Sequence, residues 1–213
     1  MDPLNKRAQQ WQRTHRRVLL SARQCFEEVG YEATTISRVA KTAKVSVGSV
    51  ISHFPDKPSL VAAAFHATLQ EHIDRGFATV PQVGILDQLC HLAGTLYGWY
   101  AAHPQLGRAL LREGMFLAGQ TGEDLNGQLN DFVQAITALL GEAMKRGEIA
   151  QMPAPLLARG FFCDYFGVLI AGLSGQFPSQ TDGFDTSAAL ATLRALTQLR
   201  LRPGAAPIDV PPR

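Results

Sequence analysis

The sequence predicts an all-α protein of about nine helices, and three observations carry that expectation. Apolar residues recur at three- and four-residue steps along most of the chain, no convincing segment follows the two-residue period of a strand, and prolines cut the chain into helix-length pieces. With 213 residues and 46% hydrophobic content there is material for one large domain or for a small one joined to a larger one.

Taken in order, Val18, Leu19, Ala22, Cys25, Phe26 and Val29 mark a first helix from Arg13 to Val29, stopped by Gly30. Thr34 and Thr35 offer N-cap oxygens to a short helix that runs through Ala43, and Ser46 caps another that ends near Phe54. Asp56-Lys57-Pro58 opens a long helix reaching about Phe77, its proline in the first turn where it is tolerated. Pro81, Pro104, Pro153, Pro155 and Pro178 separate further helices expected at about 84–102, 104–119, 122–147, 154–174 and 185–202. From Pro203 onward, four prolines in eleven residues predict a disordered tail.

The net charge of +2 hides an asymmetry: residues 1–60 hold ten Lys/Arg against five Asp/Glu, and the remainder holds ten against thirteen. The basic part is the candidate polyanion binder. Cys25, Cys90 and Cys163 are far apart and lie within apolar helical patterns, so they read as small buried hydrophobes, neither a disulfide framework nor a metal site. The N-terminal MDPLNKRAQQWQRTHRR has no apolar stretch behind its charges and does not read as a secretory signal. The longest apolar run, Phe161 to Leu173, is interrupted by Asp164 and is short of the roughly 20 residues that span a bilayer. A cytoplasmic protein with no membrane partner is expected. An all-helical enzyme is the reading from another class, but no GxSxG elbow, HExxH pair, P-loop or dinucleotide glycine motif occurs, so no catalytic residue, metal or cofactor is assigned.

On a helical wheel Ile36, Val39, Ala40 and Ala43 fall on one arc, with Ser37, Arg38 and Lys41 opposite. From Val47 to Phe54, Val50 and Phe54 lie on the packed side, with Gly48, Ser49 and Ser52 on the other. Two short helices joined by Lys44-Val45-Ser46, the second with small polar residues near its start, suit a major groove. The wheel alone leaves a generic helical hairpin with a polar surface equally open.

The stretch GYEATTISRVAKTAKVSVGSVISHFPDKPSL, Gly30 to Leu60, resembles the DNA-binding signature of the TetR family of repressors, in the order and spacing of its glycine-tyrosine turn, paired threonines, Val-Ser turn, recognition helix, His-Phe pair and Lys-x-x-Leu helix start. The resemblance implies residues 1–57 as a helix-turn-helix DNA-binding domain with a basic N-terminal arm, 58–202 as a ligand-binding and dimerisation domain, and 203–213 as the tail. It also implies roles: Thr35 on a phosphate, Arg38 on the backbone or a base edge, Ser46, Val47, Gly48, Ser49, Ile51, Ser52 and His53 on the groove-facing and phosphate-facing surface, and Lys57 on a phosphate. The family's recognition-helix tyrosine is Ile51 here, which touches a thymine methyl or simply packs. The turn glycine is Lys44, whose left-handed backbone would cost ~1 kcal/mol and whose ammonium is then a candidate phosphate contact. Ser49 and Ser52 are promiscuous hydrogen-bonders, so water and DNA shape are expected to carry much of the specificity.

By the same resemblance the later helices enclose a small-molecule effector, apolar or aromatic in view of their aromatic content, and join a homodimer that binds a palindromic operator in double-stranded DNA. Candidate ligand contacts are His91, Tyr97, Tyr100, Arg112, Phe116, Phe132, Ile136, Asp164 and Tyr165, with an Arg112–Asp164 ion pair the alternative use of those two charges. Phe162, Phe166, Leu169, Ile170, Leu173, Leu190, Leu193, Leu196, Thr197 and Leu201 are expected at the dimer interface. A regulator that binds DNA constitutively, without an effector, is the other reading.

Overall fold

The structure is a computed structural model that describes residues 3–180 and 183–202; the tail from Pro203 lies outside them. Among the described residues there are nine α-helices: α1 Pro3–Ala33, α2 Ile36–Ala43, α3 Val47–His53, α4 Lys57–Ala78, α5 Ile85–Ala102, α6 Pro104–Gly114, α7 Gly119–Lys145, α8 Ala154–Leu173 and α9 Thr186–Leu201. The fold is all-α; apart from an isolated bridge between Pro178 and Phe184, no β pairing occurs in this part of the chain.

α1 starts at Pro3 and not at Arg13, because the apolar stripe continues backward through His15 and Trp11 at the same steps, and their rings pack on Phe54 and His53. Gly30, with φ 78 and ψ 172, breaks the helix where the sequence places its end, and one further turn carries Tyr31 to Ala33. α6 ends at Gly114, short of 119, and Gly119 takes a left-handed φ of 74 that lets α7 begin before 122. α4 is the central helix, touching α1, α5, α6 and α7, while α8 packs between α7 and α9 and α9 returns onto α5. One core runs through the whole assembly: Phe26 of α1 lies 6.3 Å from Phe65 of α4, which lies 5.8 Å from Trp99 of α5.

The run from Phe161 is lengthened by Ala154–Gly160 into a helix of 20 residues, long and apolar enough by composition to cross a membrane; here its buried side packs inside the bundle. Cys25 is buried and Cys90 half-buried, whereas Cys163 is exposed because it falls on the outer side of α8.

α5 begins without a side-chain cap of its own. The Glu148 carboxylate, reached across the bundle, accepts the Ile85 N–H instead, and it is also paired with Arg146. Burial works against this carboxylate's charge, but the Ile85 amide and the Arg146 guanidinium outweigh it and hold Glu148 below the ordinary glutamate value. A carboxyl lowered in the folded state stabilises above the unfolded value and loses that contribution as pH falls. Glu148→Ala is therefore expected to cost about 1 kcal/mol at neutral pH, with the difference from the parent shrinking below about pH 4; urea melts at the two pH values check both.

Candidate nucleic-acid interface and cavity

The two short helices are fixed at three points by their own chain. Thr35, extended at φ −116 and ψ 155, accepts the Arg38 N–H at 3.1 Å and so caps α2. Its neighbour Thr34 is buried and donates to the Gly30 and Cys25 carbonyls, which locks the turn behind α1. Lys44 is left-handed at φ 53 and ψ 47; its N–H bonds the Lys41 carbonyl and the Val45 N–H bonds that of Ala40, the paired closure of a Schellman motif. Ser46 then caps α3 by accepting the Ser49 N–H at 3.1 Å. Lys44 is the sole non-glycine with positive φ among the described residues. Lys44→Gly is expected to raise unfolding stability by about 1 kcal/mol and, where the ammonium meets a phosphate, to reduce the salt dependence of DNA binding by about one unit of log–log slope.

Thr35, Arg38, Lys44, Ser46, Val47, Gly48, Ile51 and Ser52 are exposed, and Ser49 is half-buried. Ile51 is 49% exposed and Val47 41%, so neither is used to pack the chain. A Cβ added at Gly48 would meet only the Ser46 hydroxyl, at 3.9 Å, so nothing within the protein demands glycine there. Ser52 donates to the Ser49 carbonyl at 2.8 Å. Two expected contacts are engaged elsewhere. His53 packs on Trp11, the rings tilted by 40° with centroids 3.7 Å apart, and meets His15 at 5.4 Å; burial, then the neighbouring His15, lowers its pKa, and its buried Nδ1 has no hydrogen-bond partner among the described residues. Lys57 holds its ammonium 4.2 Å above the Tyr31 ring and donates to the Glu32 carbonyl at 3.3 Å.

Tyr31 and Glu32 form the joint between this unit and the helices behind it. Arg112 of α6 bonds the Glu32 carboxylate at 2.9 Å and that of Glu113 at 2.7 Å, and lies 5.5 Å from the Tyr31 ring. Burial and the Glu113 carboxylate push the Tyr31 phenol up to about 12. Arg112 and Asp164 do not pair with each other: Asp164 takes Arg200 of α9, with a second bond at 2.8 Å, because α8 turns that carboxylate toward α9.

Beside the joint lies an apolar cavity of about 300 Å³, walled by Leu69 and Ile73 of α4, Leu110 and Leu111 of α6, Leu129 of α7 and their neighbours on α5 and α8. Among the candidate ligand contacts, Tyr100, Phe132 and Tyr165 line it. Tyr97 is fully buried behind them, stacked on Tyr165 and donating to the Tyr165 carbonyl at 2.8 Å, and Ile136 is core. His91 bonds Thr79 at 2.9 Å, and Phe116 is 90% exposed; neither lines the cavity. Burial keeps the Tyr100 and Tyr165 phenols protonated, and no charged side chain lines the wall, whose polar groups include Asn126 and Gln128. Sequence reasoning missed Met115, in the turn after α6, and Leu125 and Gln128 on α7, whose inward face only packing decides.

The residues expected at a dimer interface divide. Phe162, Phe166 and Leu169 turn inward and line the cavity, Leu173, Leu193 and Thr197 are buried within the chain, and Leu190 and Leu201 are half-buried. Ile170 and Leu196 are exposed, in company with Leu156 at 59% and Leu199 at 56%. An apolar helix wedged between two others carries no mark in its sequence of which side is free.

A capped pair of short helices with a small polar outer surface, joined to a helical body around an apolar cavity, is the architecture of a helix-turn-helix unit carried on a helical bundle. Residues 18–64 match the family described as bacterial regulatory proteins, tetR family. The HTH-type transcriptional repressor Rv1474c of Mycobacterium tuberculosis is 29% identical over 106 residues, 49% of this chain and 54% of that protein. The chain thus spans about half the length of the curated relatives it matches. Salmonella enterica GusR has the same fold at a TM-score of 0.62 and 25% identity, covering 94% of this chain and 97% of its own. The regulator FadR of Bacillus subtilis, solved in complex with stearoyl-CoA, superposes at a TM-score of 0.65 and 17% identity over 87% and 96% of the two chains.

Proposed function

We propose that the chain is a cytoplasmic transcriptional repressor that binds a palindromic operator as a homodimer and releases it when a small apolar effector enters the cavity. The observation that carries the reading is the exposed, side-chain-poor start of α3. Gly48 faces open space beside Ser46, Ser49 and Ser52, a surface with no packing purpose and of the size that lets a helix approach base edges. The basic excess of residues 1–60 supplies the phosphate attraction. The repressor names of the curated relatives support the direction of regulation.

The exposed Leu156, Ile170, Leu196 and Leu199 on α8 and α9 supply an apolar face for a second copy, and paired reading heads then need half-sites ~34–36 Å apart or a related spacing. The neutral wall of the cavity favours an apolar effector, and the stearoyl-CoA held by the Bacillus subtilis FadR is an example of an apolar chain accommodated in this fold. Because α6 both lines the cavity and holds the Tyr31–Glu32 turn, a ligand that prefers a displaced α6 would reposition the reading head. A salt-dependent gel shift of the dimer on the region upstream of its own gene tests the function: a specific complex whose affinity falls steeply with salt is expected, and binding no tighter than to random DNA would reject it. A ligand screen for release then separates the effector-responsive repressor from a constitutive one.

A further inference from the structure

We infer that a cationic subsite adjoins the apolar cavity, and that the effector it selects is a medium-length apolar chain ending in an anionic head, carboxylate or phosphate. The inference rests on the cavity being the effector site. A groove between the ends of α6 and α8 is lined by Arg108, Arg112, Ile170, Leu173 and Ser174, and it shares Leu111 and Met115 with the cavity wall. Those two side chains form the partition between an apolar space without charge and a rim that holds two guanidinium groups. An anionic head inside the cavity would be desolvated with no counter-charge; at the rim it keeps water on one side and meets a cation on the other. The cavity volume, at the lower end for small-molecule sites, suits a medium rather than a long chain.

The two arginines stand in different states. Arg108 donates its Nε to the Leu173 carbonyl at 2.7 Å, which fixes the guanidinium plane over the end of α8. Its Nη groups meet no partner among the described residues, leaving parallel donors of the kind that carboxylate and phosphate oxygens accept. Arg112 is already taken by Glu32 and Glu113. The Glu32 pair is solvent-exposed on both sides and therefore weakly held. A head group docked on Arg108 lies beside Arg112 and competes with Glu32 for it. The same side chain that completes the subsite is the one by which α6 grips the turn after Gly30, where Lys57 also rests. Arrival of the anion thus loosens the reading head directly, while the chain alone acts only through the cavity wall.

The test titrates the full-length protein, bound to a fluorescent fragment of its operator, with decanoate, decyl phosphate and decan-1-ol, and follows binding of each by calorimetry. One or both anions are expected to release the DNA at a concentration lower than the alcohol by about tenfold or more; the more potent of the two identifies the head. Arg108→Gln should remove that advantage and leave the alcohol's potency unchanged, Arg108→Lys should keep part of it, and Glu32→Gln should weaken operator binding without any ligand. Equal potency of anions and alcohol in the parent, or an anion advantage that survives Arg108→Gln, overturns the subsite while leaving the apolar cavity as the effector site. Failure of all three compounds to bind overturns both.

Discussion

Gly48→Leu is expected to lower operator affinity by about 100-fold, roughly the loss of one or two good base contacts at 1–3 kcal/mol each, while the protein unfolds no earlier than its parent. The second half of that statement follows from the surroundings: among the described residues beyond its chain neighbours and its own helix backbone, a Cβ there would meet only the Ser46 hydroxyl within 4 Å. A better helix former in place of glycine adds up to about 1 kcal/mol to α3. The Cβ of the new side chain meets no obstacle from the packing around α3. Fluorescence anisotropy on the operator, paired with a urea melt, separates the two effects; affinity that stays within twofold of the parent would move the reading surface away from the start of α3.

Phe65→Ala should act in the opposite sense, on the fold first. Phe65 is fully buried and its ring lies between Phe26 of the first helix and Trp99 of the fifth, so the cavity left by truncation opens at the seam between the N-terminal helices and the bundle behind them. Large aromatic truncations of this kind cost about 3–5 kcal/mol, a large share of the stability of an ordinary domain, and for a chain of this length that lowers the melting midpoint by roughly 6–20 °C. Thermal melts followed by far-UV circular dichroism measure it. A loss under about 1 kcal/mol would mean that the N-terminal helices and the bundle are tied by something other than this aromatic chain.

The helices and the reading unit were largely legible because their signals are local. Thr35, Ser46 and Asp56 cap the helices they precede in sequence, and Lys44 is left-handed where the turn spacing requires it. Signals that span the chain were not legible. Nothing near Glu32 announces Arg112, nothing near Ile85 announces Glu148, and Asp164 turned to Arg200 because of where α9 lies. The cavity was half visible: Tyr100, Phe132 and Tyr165 line it, yet Phe162 and Phe166 were expected on the outside, since α8 is apolar on nearly every side and only its neighbours choose a face. His53 and Lys57 matched a motif in type and spacing, but in this structure Trp11 and Tyr31 hold them.

The helix proposed to read DNA, α3, is anchored unequally at its two ends. At its start the Ser46 cap is a directional hydrogen bond that fixes where the first residues point, whereas at its end His53 is held by ring contact with Trp11 and His15 and makes no hydrogen bond to the described residues through its buried Nδ1. Ring contacts tolerate small slides and tilts that a hydrogen bond does not. The helix is thus fixed in direction at its start and cushioned by rings at its end, a mounting in which the last turn can tilt while the first keeps its aim.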